Sequence, residues 1–339
     1  PARLPGGAMA RVLFVGPMDA ERRAVLAEKN RGAFDATILA DVPEAARDAA
    51  WSEADVLVTL GFGPEIPEDL PRRAPRLRLV QTLVAGVDHL PYQRLPKSLV
   101  VCGNAGAYST SVGEHAMALL LAAAKDIPLR TGEIASGLFD QNAASKPLAG
   151  TTVAIFGMGG IGTMVAGVCK AFRMHVIGVS RTGRVVPPAD EGGRLEDLPA
   201  ILPRADFVVL ALPLTVRTKG LVDRDFLARM KMDAVLVNIA RGKIVVEDDL
   251  YEHLRAHPGF RAALDVWWVY PTGASGRPFH RPFHELPNVV MTPHNANAIP
   301  GQRRGAMEAA VDNVLRFLRG ETPRNVVNVT EYGTLAEPR

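Results

Sequence analysis

From Arg11 onward, short runs of β-branched and aliphatic residues alternate with amphipathic stretches. R-V-L-F-V-G, A-T-I-L-A, D-V-L-V-T and R-L-V-Q-T are apolar almost throughout rather than at every second position. That continuous pattern predicts parallel strands buried on both faces. A second series begins at Thr152: T-V-A-I-F-G, H-V-I-G-V-S, D-F-V-V-L-A-L-P, A-V-L-V-N-I-A, A-A-L-D-V and V-V-M-T-P. It supplies six strands, the number expected of a complete dinucleotide-binding sheet. The fold class expected is therefore α/β, with two doubly wound parallel-sheet domains.

Helical periodicity places the domain crossings. Ser111 to Ala124 reads as an apolar helix, and Pro300 to Arg319 carries Met307, Ala310, Val311, Val314, Leu315 and Leu318 on one face. A chain of 339 residues exceeds the usual single core. The expectation is a discontinuous first domain, 9–107 with 297–339, into which the second domain, 108–296, is inserted. Two crossings form a double hinge, which suits a cleft that closes on substrate. The Gly/Pro-rich stretch Pro271 to Pro287 is expected to be a long functional loop.

Composition narrows the classes. Hydrophobic content of 47%, charged content of 22% and a net charge of +3 are ordinary for a globular enzyme and give no nucleic-acid footprint. No segment is apolar for long enough to span a bilayer, so no membrane partner is expected. Cys102 and Cys169 lack metal or redox spacing and are expected to be buried free thiols in a reducing cytoplasm. No metal site is expected. The leader P-A-R-L-P-G-G-A has neither the apolar core nor the cleavage site of a signal peptide, and the fold is expected to begin near Met9.

V-A-I-F-G-M-G-G-I-G, Val153 to Gly162, breaks from a strand into glycines. Gly157, Gly159 and Gly162 fit the G-x-G-x-x-G pattern that wraps a pyrophosphate around a helix start, with Gly160 and Ile161 inside the turn. The helix N-terminus supplies N–H groups and partial positive charge to the anion. The alternative for such a spacing is a Gly-rich turn in an unrelated α/β unit; the preceding strand and a following helix, Thr163 to Phe172, argue against it. Where the NAD pattern carries an acid after the second strand, this chain has Ser180-Arg181-Thr182, with Arg184 close by. Hydroxyls and a cation suit a 2′-phosphate, so NADP is expected, with NADPH preferred over NADH. The alternative is that both arginines are solvated loop charges and either cofactor serves.

Three groups follow strands of the second series: Arg241 in N-I-A-R-G, Asp265 in A-A-L-D-V and His294 in M-T-P-H-N-A. Arginine offers a rigid fork to a carboxylate and its neighbouring carbonyl. Histidine is the usual proton donor near neutral pH. Taken singly, Arg241 also fits a surface ion pair and His294 a packed loop histidine.

Together, in this order, these motifs resemble the D-isomer-specific 2-hydroxyacid dehydrogenase family over nearly the whole chain. V-A-G-V-D-H-L at Val84 to Leu90, S-V-G-E-H-A at Ser111 to Ala116 and A-L-P-L-T at Ala211 to Thr215 extend the likeness. The resemblance implies a Rossmann cofactor domain inserted into a flavodoxin-like substrate domain. It implies hydride transfer between NADP(H) and a small 2-oxo or 2-hydroxy carboxylate, with Arg241 binding and polarising the substrate and His294 exchanging the proton. The backbone of Val84, Ala85 and Gly86 would receive the substrate carboxylate, with Tyr108 nearby. Val112, Leu212, Pro213 and Ala240 would border the cofactor, and Asp265 would hold the nicotinamide amide. It also implies a homodimer through the arm Leu129 to Pro147, whose Ile134, Leu138 and Phe139 would otherwise be exposed.

One position departs from the family pattern. A glutamate normally pairs with the histidine from a D-V-F-E-x-E-P run; here Asp265 to Pro271 reads D-V-W-W-V-Y-P and Tyr270 stands in its place. A phenol favours imidazolium much less than a carboxylate does. Tyr270 could orient His294, Glu285 could substitute, or the reaction could need no proton transfer. Formate dehydrogenase relatives illustrate the last case with a glutamine there, but they carry an asparagine where this chain has Tyr108. Phosphite-oxidising relatives place a lysine at the position of Ala85. The orienting tyrosine is the preferred reading. Tyr108, Tyr270, Trp267 and Trp268 could line an aromatic pocket, although Trp267 is better read as core. A non-catalytic dinucleotide-sensing interaction module, as in corepressor relatives, is the alternative from another class.

Overall fold

The computed structural model describes residues 9–61, 66–273 and 275–332; the leader before Met9 lies outside them. The chain divides into two units: residues up to Tyr108 together with those from Ile299 onward, and Ser109–Ala298.

The first unit holds β1 (Arg11–Val15), β2 (Asp35–Ile38), β3 (Val56–Thr59), β4 (Leu79–Thr82) and β5 (Val100–Cys102). All pair in parallel in the order β2-β1-β3-β4-β5, the flavodoxin-like order. Its first helices are α1 (Ala20–Asn30), α2 (Arg47–Glu53) and α3 (Leu70–Arg73). Asp19 caps α1 by accepting from the Arg22 N–H at 3.0 Å. Strands β3 and β4 are buried at every position, as their continuous apolar runs require.

The second unit opens with α4 (Ser109–Ala124) and α5 (Ile127–Ala135). A seven-stranded parallel sheet follows, built from β6 (Thr152–Phe156), β7 (His175–Val179), β8 (Glu191–Gly193), β9 (Phe207–Leu210), β10 (Val235–Asn238), β11 (Arg261–Leu264) and β12 (Val289–Met291). Its order is β12-β11-β10-β9-β6-β7-β8, so the chain reverses direction across the sheet between β6 and β9. A crevice outside the strand ends at such a reversal is where this architecture takes its ligands. The remaining helices are α6 (Gly160–Ala171), α7 (Leu198–Ile201), α8 (Arg224–Arg229) and α9 (Glu247–Ala256), and the first unit is completed by α10 (Gln302–Leu318).

Helix α4 is apolar around most of its circumference because it is core. Ala116, Met117, Leu119, Leu120, Ala123 and Ala124 are all buried against the sheet and α6. In α10, Met307, Ala310, Val311 and Val314 are fully buried, while Leu315 and Leu318 pack partly against the same core. Two strands went unread in the sequence. β8 is E-G-G, poor in strand formers, and β5 is only V-V-C before a glycine. The long loop Pro271 to Pro287 contains one turn of 3-10 helix, Phe283–Glu285. Among the described residues, no helix is long and apolar enough to cross a membrane, and no cluster of three metal-ligating side chains occurs.

Candidate active site

The turn after β6 shows what its glycines are for. Gly157 has φ +98, a left-handed backbone that L side chains rarely adopt. A Cβ there would also sit 2.7 Å from the Ala211 carbonyl oxygen. At Gly162 a Cβ would overlap the carbonyl of Gly157, so helix and strand meet backbone to backbone. Gly159 is the N-cap of α6, and among the described residues a Cβ built on it meets no atom beyond its chain neighbours within 4 Å. The space in front of the helix start is thus open, bordered by Gly160 and Ile161. Unsatisfied N–H groups at an open helix N-terminus fit a pyrophosphate.

Beyond β7 the chain forms a polar loop. Ser180 Oγ and Thr182 Oγ1 are 3.4 Å apart, and Thr182 Oγ1 accepts from the Arg184 N–H at 3.4 Å. Arg194, on the next strand end, donates through Nε to the Thr182 carbonyl at 3.3 Å. Arg181 and Arg184 are exposed. Across the sheet reversal, Leu212 is buried and Pro213 exposed after β9. Thr218 Oγ1 braces that turn by donating to the Pro213 carbonyl at 2.7 Å. Val112 lies half-buried on α4.

The run after β10 is folded by its asparagine. Asn238, 1% exposed, accepts the Ala240 N–H through Oδ1 at 3.1 Å and donates through Nδ2 to the Arg241 carbonyl at 3.0 Å. That brace turns the chain so that Arg241, half-buried, leaves the strand end with Nη1 on the Ala240 carbonyl at 2.7 Å. A Cβ at Gly242 would overlap the Trp267 carbonyl. The N-I-A-R-G turn therefore packs directly on the chain that leaves β11.

The ends of β11 and β12 are joined through a buried carboxylate. Asp265, 1% exposed, accepts on Oδ1 from Thr292 Oγ1 at 2.7 Å and from the Asn295 N–H at 3.2 Å. Trp267 is buried and donates its indole N–H to the Thr292 carbonyl at 2.9 Å, so it is core, as preferred from the sequence. Trp268 donates to the Val245 carbonyl at 2.8 Å and stacks on Phe283. Neither indole N–H is available to a ligand.

His294 holds a left-handed backbone, φ +57, uncommon for a non-glycine residue and often a mark of function. Tyr270 lies beside it, the ring centroids 5.4 Å apart and tilted by 51°. The Tyr270 hydroxyl also accepts weakly from the Trp267 N–H at 3.4 Å. Glu285, weighed as a substitute carboxylate, turns instead to His284 at 3.7 Å.

In the first unit, the loop after β4 has its carbonyls taken and its amides open. The Leu83 carbonyl accepts from Asn104 Nδ2 at 3.2 Å and from the Tyr108 hydroxyl at 2.5 Å. The Val84 carbonyl accepts from Thr82 Oγ1 at 2.7 Å and from the Asn104 N–H at 3.0 Å. Among the described residues, the N–H groups of Val84, Ala85 and Gly86 donate to no protein acceptor. Successive open amides suit an anion. Tyr108 thus braces this loop, and burial pushes its phenol above the ordinary range. Both cysteines are free and buried; burial pushes Cys102 up to about 11 and Cys169 up to about 12, which leaves them inert thiols.

Comparison with known proteins identifies the lineage of the chain. The model of the D-isomer specific 2-hydroxyacid dehydrogenase NAD-binding domain matches residues 117–296. The chain is 31% identical to a glyoxylate reductase of Pyrococcus horikoshii, over 87% of its own length and 90% of that protein's. It is 34% identical to a D-3-phosphoglycerate dehydrogenase of Methanocaldococcus jannaschii over 82% of its length, but spans only 52% of that longer relative. A crystal structure of an NADPH-dependent glyoxylate/hydroxypyruvate reductase from Sinorhizobium meliloti, in complex with NADP and sulfate, matches with a TM-score of 0.77 and 28% identity. It covers 95% of this chain and 99% of that one. The dinucleotide turn and the strand ends that follow it therefore sit in a known lineage: this chain belongs to the D-isomer-specific 2-hydroxyacid dehydrogenase family of NAD(P)-dependent oxidoreductases.

Proposed function

We propose that the protein reduces a small 2-oxo acid to the corresponding 2-hydroxy acid with NADPH. The observation that carries this reading is the set of strand ends in the second unit. Arg241, Asp265 and His294 follow β10, β11 and β12, neighbours in the sheet. When bound, a reduced nicotinamide supplies the hydride. The Arg241 fork pairs with the substrate carboxylate and draws electron density from the adjacent carbonyl. His294 delivers a proton to the carbonyl oxygen, and Tyr270 restricts the imidazole by ring contact.

NADPH preference rests on the hydroxyl and guanidinium loop Ser180 to Arg184, which offers no carboxylate to repel a 2′-phosphate. The NADP-bound relative supports the same choice. A homodimer is proposed through the arm after α4, where Ile134, Leu138 and Phe139 are 58%, 53% and 72% exposed. Two buried free thiols suit a cytoplasmic setting.

The test is NADPH oxidation with glyoxylate, hydroxypyruvate, pyruvate and phenylpyruvate, repeated with NADH. Turnover of at least one acid, with a higher kcat/KM for NADPH, supports the proposal. Cofactor binding without turnover of any of them would favour a dinucleotide-sensing module instead. Light scattering on the eluted protein tests the dimer, and a monomer at micromolar concentration would reject it.

A further inference from the structure

Resting on the assignment of Asp265 to the nicotinamide amide, we propose that His115 is a positioning residue. Its Nε2–H, relayed through Thr292, loads one oxygen of Asp265 so that the other is presented to the amide of the cofactor.

His115 sits on α4, with its side chain 23% exposed and Nε2 3.0 Å from Thr292 Oγ1 and 3.4 Å from Asp265 Oδ1. The Thr292 hydroxyl has one proton, and the 2.7 Å contact to Asp265 Oδ1 uses it. Toward His115 that oxygen can therefore only accept, which fixes the proton on Nε2. The chain of donors runs from His115 Nε2–H to Thr292 Oγ1–H to Asp265 Oδ1. The Asn295 N–H adds a second donor to the same oxygen at 3.2 Å. Among the described residues, both hydrogen bonds to this carboxylate, and its 3.4 Å contact with His115, fall on Oδ1. A buried carboxylate with one oxygen saturated is held in one rotamer, and its second oxygen points in a defined direction. The same bonds fix Thr292, separated only by Pro293 from His294. His115 thus ties α4 to the two strand ends that carry Asp265 and His294.

The test compares binding of NADP with binding of its 3-acetylpyridine analogue, which keeps the ring carbonyl but has no amide N–H to donate. Affinities are read by calorimetry on the intact protein. The wild type should bind the carboxamide cofactor roughly tenfold more tightly, the size expected for one hydrogen bond to a carboxylate. Asp265→Ala should abolish that difference. His115→Ala should also reduce it severalfold, whereas His115→Gln, which returns an N–H near the Nε2 position, should restore most of it. Thr292→Val should weaken discrimination as His115→Ala does, and the two should not add. If Asp265→Ala removes the discrimination while His115→Ala and Thr292→Val keep it, the relay is refuted and the Asp265 assignment stands. If the wild type does not discriminate, or Asp265→Ala still does, the Asp265 assignment fails and takes the relay with it.

Discussion

Replacing Tyr270 by glutamate places a carboxylate where the family pattern has one, beside the imidazole of His294. The two rings are 5.4 Å apart at their centroids, and Tyr270 is 52% exposed, so the new charge would act through a partly aqueous medium. With an effective dielectric constant of about 40 to 80, Coulomb's law at that separation gives about 0.8 to 1.5 kcal/mol in favour of imidazolium. That corresponds to an upward shift of roughly half to one pKa unit, or about four- to tenfold more proton donor on the alkaline side. The assay is the pH profile of kcat/KM for 2-oxo acid reduction by wild type and Tyr270→Glu. The alkaline limb of the variant should move upward by that half to one unit, with rates at low pH little changed. An unmoved limb accompanied by a large fall in rate at every pH would refute the reasoning. It would show that the phenol does work a carboxylate cannot, for instance by shaping the substrate pocket.

Four further outcomes follow from the geometry. Gly162→Ala should abolish dinucleotide binding and lower stability by about 1–3 kcal/mol, because its Cβ overlaps the Gly157 carbonyl; calorimetry and urea melts report both. Asn238→Ala leaves the turn at Arg241 without its two side-chain bonds and should lower kcat/KM at least tenfold while cofactor affinity holds. Arg181→Ala combined with Arg184→Ala should raise the KM for NADPH about tenfold and leave that for NADH unchanged. Burial, aided by the neighbouring His257, pushes His253 down to about 4, and its Nε2 has no hydrogen-bond partner among the described residues. The folded state therefore favours the neutral ring. The stability this contributes is complete above the unfolded value near 6.5 and is lost as pH falls toward 4. Discounting for the half-exposed ring, the loss is about 1–2 kcal/mol, and urea midpoints of His253→Phe should show a flatter acid limb than wild type.

Much of this architecture was legible because its signals are continuous. Parallel strands buried on both faces write themselves as unbroken apolar runs, and β1, β3, β6, β7, β9 and β10 are of that kind. The turn at Gly157 to Gly162 was equally plain, since steric overlap leaves few alternatives to glycine. What escaped has physical reasons. β8 is assembled from E-G-G and pairs only because β7 offers an open edge, so tertiary context overrides a poor propensity. Asn238 was visible as part of a motif, but its double bond to the following turn is a property of side-chain direction. His115 stood in S-V-G-E-H-A as one helical residue among others. Its partner Thr292 lies 177 residues away, a contact no local pattern encodes. The direction of the Trp267 and Trp268 indoles was likewise hidden, and both are spent on backbone carbonyls. Tyr270 is the reverse case: the departure was legible at once, yet only the structure sets its ring against His294.

The most direct measurement is the fate of deuterium from NADPH labelled at C4 of the nicotinamide, followed by NMR of the product formed from the best acid in the panel. The account predicts deuterium at C2 of a 2-hydroxy acid of single configuration, and no product above background from Arg241→Ala. Product carrying solvent hydrogen at C2, or undiminished transfer in Arg241→Ala, would contradict it.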